Sequence, residues 1–370
     1  MITTLANYNN IFLKQVINDI YSLDSIFSIS ENIDDFSVVN DLKVDTLLKN
    51  RLKNIKQKKN EPIVHSELVN MIKDDKTGEV IDYEKLKKLL SKRPKYILNS
   101  NEKLSKSGIY SVTLPKYRGL FYDEQTDELK IVNTCVHAGV CKIDCYAGKG
   151  GYVMWNASSL KSGQVLTFLL NDYIKWKNQL LKEINEIDFV NSDIGRTTTI
   201  RWHDSGDFIS EKYLDIVIDI AKETPNVTHY AYTKEVTLFK NKELKGEKLP
   251  DNFHITYSFG GIEDKYIDIE KDKYAKIIDN KGKYAIDFKK YYKTTIINKK
   301  PHWIISDENF EKLKVEISEK FNIDINTIIQ YKQLPKNIDE TKKWTVVVTP
   351  SNADDAAYRS DVKIVLLLKH

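Results

Sequence analysis

Apolar and polar positions change their rhythm twice along this chain. Through residues 1 to about 96, "IFLKQVINDIYSLDSIF" repeats its apolar residues at helical spacing, while "VDTLLKNRLKNIKQKKNEP" and "DYEKLKKLLSKRPK" read as basic helices closed by proline. From about residue 104 the period shortens. "SGIYSVTLP" and "RGLFYDEQTDELKIVNTC" read as strands around an acidic turn, and a long helical stretch runs from about Trp155 to Ile187. "RTTTIRWHDSGDF" is a strand entering a glycine turn. In "SEKYLDIVIDIAKETP", Ser210 caps an amphipathic helix, Leu214, Val217, Ile218 and Ala221 form its buried stripe, and Pro225 stops it. "VTHYAYTKEV" and "FHITYSFGG" are the next strands. "TTIIN", "HWIIS", "TIIQYKQL", "WTVVVT" and "VKIVLLL" supply more.

Strand, helix, strand in succession implies parallel pairing, since only a crossover returns the chain to lay the next strand parallel to the last. The repeats suit an α/β fold: a partial (β/α) TIM-like barrel over residues 97–370, preceded by a basic helical N-terminal extension over 1–96. Residues 262 to 300 interrupt the rhythm with interleaved lysines and tyrosines and are expected as an insertion.

Composition narrows the class. Hydrophobic residues at 41% and charged residues at 30% belong to a folded soluble protein. The N-terminus lacks a secretory pattern and no apolar run is long enough to span a bilayer, so a cytoplasmic protein without membrane contact is expected. The net charge of +4 rests almost wholly on lysine, with six arginines in the chain. Readers of bases favour arginine, and a surplus of Lys, Ile, Asn and Tyr is also what an AT-rich genome writes.

All three cysteines, Cys135, Cys141 and Cys145, lie in "NTCVHAGVCKIDCYAGKG". An odd count in a reducing compartment argues against a structural disulfide, and isolated core cysteines would scatter. Two metal readings remain. With His137 the thiolates make a Cys3His zinc site, which would only stabilise the loop. Alone they hold a four-iron cluster with one iron left open. The second arrangement resembles the three-cysteine loop of radical S-adenosylmethionine enzymes, which follows the first strand of a partial barrel and whose open iron chelates the cofactor. The spacing departs from theirs, with five and three residues between cysteines where three and two are usual.

"KSGIYSVTLP", "CVHAGVCKIDCYAGKGGY", "IRWHDSGDF" and "THYAYTKE", in this order over about residues 104 to 240, resemble the phage and bacterial gene product 88 family. The resemblance implies a fold related to radical S-adenosylmethionine barrels and a phage or mobile-element origin, hence the host cytoplasm; it implies no substrate.

The same residues make chemical sense unaided. Alternation places Arg201 with His203, and Tyr230 and Tyr232 with Lys234, at the C-terminal strand ends where parallel β/α folds bind ligands. The expected pocket has His203, Asp204, Asp207 and Lys234 in catalytic roles. Arg201, Ser205, Gly206, Tyr232 and Thr233 would bind the cofactor, and Cys135, Cys141 and Cys145 the metal. The plainer alternatives are an ion pair of Arg201 with Asp204 or Asp207, and a core role for His203. "GKGGY" lacks the ending of a phosphate loop and reads as a turn, and Asp354 and Asp355 suit a helix start.

Two functions follow. One is an iron-sulfur (4Fe-4S) protein that uses S-adenosylmethionine as a radical enzyme on a nucleotide, nucleic-acid or peptide substrate. The other is a nucleic-acid-binding or replication-associated phage protein with a structural zinc, which grips its partner through the basic arm and the Lys/Tyr segment.

Overall fold

The structure is a computed structural model that describes residues 38–39, 83–99, 104–105, 107–142, 145, 147, 156–278, 285–297, 300–349 and 355–368. Most of the basic N-terminal extension, the "GKGGY" stretch and Asp354 lie outside these residues.

In chain order the strands are β1 (Val38–Val39), β2 (Leu98–Asn99), β3 (Ile109–Val112), β4 (Arg118–Asp123), β5 (Glu128–Asn133), β6 (Thr199–Trp202) and β7 (Thr228–Thr233). Then come β8 (Phe253–Ser258), β9 (Tyr274–Ile278), β10 (Lys293–Ile297), β11 (Lys300–Ile304), β12 (Ile328–Gln330), β13 (Trp344–Val348) and β14 (Val362–Leu368). The helices are α1 (Tyr83–Leu90), α2 (Asn156–Asn171), α3 (Tyr173–Asp193), α4 (Glu211–Glu223), α5 (Val236–Leu244) and α6 (Asp307–Phe321).

Nine strands form the main sheet in the order β12-β13-β14-β9-β8-β7-β6-β3-β2. Every neighbouring pair is parallel except β2 with β3. From β3 through β6, β7 and β8 to β9, each strand lies beside the previous parallel one, as the strand–helix rhythm predicts. Of the expected partial (β/α) TIM-like barrel, the described residues give a mostly parallel α/β sheet that does not close. After β9 the chain leaves for the antiparallel β10-β11 ribbon and α6, returns at the far edge as β12, and then steps inward through β13 and β14. Its last strand therefore seals against β9 and not against β3, and among the described residues β2 and β12 are the two edges.

Residues 262–300, expected as an insertion, contain β9, a strand in the middle of this sheet. Its Tyr274, Ala275 and Ile278 are buried, which explains the tyrosines that disguised it.

Helices α3 and α4 cover one face. Ile200 and Trp202 of β6 and Ala231 of β7 pack there with Trp176, Leu180, Tyr213, Leu214 and Val217. Ser210 caps α4 by accepting from Tyr213 N at 3.1 Å, and the buried stripe is the expected one. The single long helix expected from Trp155 to Ile187 is broken at Asp172, whose Oδ1 accepts from Lys175 N at 3.0 Å and starts α3 afresh. A second core joins β9 and β14 to Phe310, Leu313 and Ile317 of α6.

The β4-β5 hairpin, flanked by β1, forms a separate small sheet. It docks on α2, where Tyr122 N donates to Thr167 Oγ1 at 3.1 Å and Asn171 Nδ2 donates to Tyr122 O at 2.7 Å. The cysteine loop leaves this hairpin. It thus belongs to the connection between the first two strands of the parallel series, β3 and β6. No helix among the described residues is long and apolar enough to cross a membrane.

Candidate functional site

Four consecutive parallel strands end at the cysteine loop, and each holds it differently. At the end of β3, Pro115 O accepts the hydroxyl of Thr134, the residue before Cys135. Beyond β6, Asp207 N donates to Thr134 O at 2.7 Å. After β7, Glu235 accepts the His137 N–H at 3.0 Å and sits 2.5 Å from His137 Nδ1. After β8, Gly260 O accepts from Gly139 N at 3.1 Å and from Cys141 N at 3.3 Å, while Ile262 N donates to His137 O at 2.9 Å. Ala138 and Gly261 form an isolated antiparallel bridge there.

The close approach requires glycine. A Cβ on Gly139 would stand 2.7 Å from Gly260 O. Gly260 has φ +108°, and its N–H with that of Gly261 is fixed by the Asp264 carboxylate at 2.9–3.1 Å.

Cys135, Cys141 and Cys145 are free thiols, all half-buried. Burial, followed by the Asp207 charge and then by the Cys145 and Cys141 thiols themselves, raises the Cys135 thiol well above its ordinary value. Cys141 and Cys145 therefore lie within electrostatic range of Cys135, and burial disfavours its thiolate. One N–H helps. Tyr117 N donates to Cys135 Sγ at 3.3 Å, from a backbone in the left-handed region (φ +55°) that is sterically costly for tyrosine. Tyr117 O in turn accepts from Thr134 N at 2.8 Å.

His137 faces carboxylates on both sides, with Nε2 3.5 Å from Glu263 Oε1. Burial alone would lower its pKa, but the Glu235 bond and charge, joined by Glu263 and Asp207, raise it to about 9. A Cys3His zinc site would keep the Nδ1–Glu235 bond and use Nε2, the nitrogen that here faces Glu263. Among the described residues, no group of three or more His, Cys, Asp or Glu side chains is arranged to hold a metal ion.

Of the expected pocket, Asp207, Thr233 and Lys234 come together at the loop. Asp207 accepts from Thr233 Oγ1 at 2.7 Å and from Lys234 N at 2.9 Å, and burial followed by the Glu235 charge pushes its carboxyl upward. Lys234 Nζ donates to Ser258 Oγ at 3.0 Å. Its stem and Cys141 border the same glycine, since a Cβ on Gly260 would stand 3.9 Å from Lys234 Cε and 3.8 Å from Cys141 Cβ.

His203 goes elsewhere. Strand β6 ends at Trp202, and His203 adopts φ +60°, which breaks the alternation that would align it with Arg201. Its ring is buried in the helix-side core, 4.6 Å from Phe208 and with Nε2 2.8 Å from Tyr213 OH. Burial lowers its pKa to about 3, so it is a neutral packing residue.

Arg201 lies on the opposite face of the sheet, its guanidinium 5.8 Å from the Tyr232 ring centre. Asp204 joins a separate polar chain. It accepts from Thr113 Oγ1 at 2.6 Å, Thr113 Oγ1 accepts from Asn99 Nδ2 at 2.9 Å, and Lys161 donates to Asn99. Ser205 and Gly206 shape the turn: Ser205 O accepts from Leu114 N at 3.0 Å, and Gly206 has φ +82°.

Tyr117, Glu235, Glu263 and the Gly260–Gly261 turn escaped the reading of motifs. The "YTKE" and "FGG" strand ends were the available signal, because each places a grip one residue past the residues singled out.

An open, mainly parallel α/β sheet with a three-thiol loop held across its C-terminal edge defines the class. Residues 88–363 match the family model described as gene product 88. The chain belongs to that family, and the match reaches well beyond the 104–240 stretch that carries the motifs. Neither the curated proteins nor the solved structures give a match.

Proposed function

We propose that Cys135, Cys141 and Cys145 hold a four-iron, four-sulfur cluster with one iron free of protein ligands, and that the protein uses it with S-adenosylmethionine as a radical enzyme. The chemistry of the donors favours it. All three thiols lie on one loop, and Cys141 and Cys145 are within electrostatic range of Cys135. A backbone N–H already points at the Cys135 sulfur, and two glycines keep the adjoining wall free of side chains. Bound, the cluster would supply one electron and a coordination site for the amino and carboxylate groups of S-adenosylmethionine.

The chain's own residues do the rest. Glu235, Thr134 and the Gly260–Gly261 turn hold the loop, and the Lys234 stem borders the same glycine as Cys141. Arg201 and Tyr232 offer a charged and aromatic wall on the face of the sheet opposite α3 and α4 for a nucleotide, nucleic-acid or peptide substrate. The observation that carries this reading is the convergence of four successive strand ends on one loop, since parallel β/α folds assemble their reactive sites at that end.

Purification and reconstitution without oxygen test it. About four irons and four sulfides per chain, with charge-transfer colour, are expected. Loss of all three in Cys135→Ala, Cys141→Ala and Cys145→Ala should follow. A colourless protein carrying one zinc per chain would overturn the proposal in favour of a structural loop.

A further inference from the structure

The other end of the sheet carries a second feature. A cavity of about 580 Å³ opens where β8, β9 and β14 begin, so it lies across the sheet from the cysteine loop. Five of its twelve lining residues are cationic, Lys271, Lys273, Lys343, Arg359 and Lys363, and one, Glu270, is anionic. The charges come from three separate segments. Such a gathering is unfavourable without counter-charge.

Local partners answer only part of it. Arg359 is paired with Asp361 at 2.7 Å, and Lys271 lies 3.7 Å from Asp268. Lys343 Nζ donates to Ser360 O at 3.1 Å, and Lys273 Nζ donates to Ala356 O and Arg359 O, both at 2.8 Å. These carbonyls orient the amines without neutralising them. Burial pushes Lys273 down to about 7 against the pull of Asp361, with Arg359 and Lys343 repelling it further. Lys363 is lowered by burial and by Lys343, while Asp272 and Asp268 oppose. An anion in the cavity would relieve this repulsion.

Size and lining select the anion. The volume is that of a small-molecule site, and Tyr358 and His254, with rings 6.4 Å apart, add aromatic surface to the cationic wall. We propose that this cavity binds a nucleoside polyphosphate, its phosphates on Lys273, Lys343 and Lys363 and its base against the Tyr358 and His254 side. The site is independent of the cysteine loop.

Titration of ATP into the full-length protein tests this, with a short oligothymidine as the competing polyanion. ATP is expected to bind with an affinity that falls as salt rises. The double variant Lys343→Ala/Lys363→Ala should weaken it about tenfold or more while leaving the melting temperature and any bound iron unchanged. Lys343 is exposed and Lys363 half-buried, so folding should survive. Absence of ATP binding at low salt, or equal binding by the double variant, would overturn the assignment. So would oligothymidine that binds and is not displaced by ATP.

Discussion

A single carboxylate, Glu235, grips His137 twice, with one oxygen 3.0 Å from the backbone nitrogen and the other 2.5 Å from Nδ1 of the ring. Glu235 stands just past β7, and its own N–H donates to Thr233 Oγ1 at 3.0 Å. The third parallel strand is thereby tied to the cysteine loop through a nearly buried ion pair.

Glu235→Ala should therefore loosen the loop without unfolding the sheet. The loss is expected at about 3 kcal/mol, because the histidine loses both hydrogen bonds to Glu235 and keeps only the longer contact with Glu263 in a largely buried place. Glu235→Gln can still accept from the His137 backbone N–H, while its NH2 can meet Nδ1 only by donating to a neutral ring, and it should cost roughly half as much. Chemical denaturation checks the ranking, and a glutamine variant less stable than the alanine one would contradict it.

Gly206 tests the turn beyond β6. Its φ is +82°, and an added Cβ would stand 2.6 Å from Leu114 Cβ. Gly206→Ala should destabilise by about 2 kcal/mol or more, combining backbone strain with the clash. Unchanged thermal stability would show that the turn can move away from β3.

Glu183 secures the edge strand from below. Buried on α3, its carboxylate accepts from Ile97 N at 2.9 and 3.0 Å and from Leu98 N at 2.9 Å. Glu183→Ala leaves these donors unpaired and should cost about 2–4 kcal/mol. Hydrogen exchange should show protection lost first at Ile97 and Leu98, and uniform loss along the sheet would argue against a local role.

His229 makes the core sensitive to acid. The Trp202 indole N–H donates to its Nδ1 at 3.2 Å, and Thr224 Oγ1, which itself donates to Ile220 O, lies 2.8 Å from its Nε2. The neutral ring with its proton on Nε2 satisfies all three groups. Burial, then the His254 charge, lowers the pKa from 6.5 to about 3. The folded state thus binds fewer protons than the unfolded chain across that window, so stability falls as pH drops from 6.5 towards 3. The slope for this group approaches about 1.4 kcal/mol per pH unit. Melting temperature against pH should be flatter in His229→Gln, and parallel curves would remove His229 as the cause.

Local chemistry made much of the architecture readable. Ser210, the stripe Leu214 to Ala221 and the strands on either side follow from period and capping alone. Closure did not, because the order β12-β13-β14-β9 depends on where a returning chain finds an open edge. Strand β9 was hidden by Lys and Tyr, residues whose burial depends on neighbours laid down much later in the chain. Within the site, Asp207, Thr233 and Lys234 were legible from strand ends, whereas the position of His203 turned on one residue with positive φ. Glu235 and Glu263 could not be found by spacing, since what makes them important is a histidine far away in sequence.

The bridge between Ala138 and Gly261 joins segments about 120 residues apart. A chain emerging from the ribosome must therefore finish four parallel strands before its cysteine loop is fixed in place, and long-range closure of this kind is slow. Any inorganic centre of the kind proposed above would then arrive late, as a guest of an already folded host, and the nascent polypeptide with its cysteines exposed is the stage most vulnerable to oxidation.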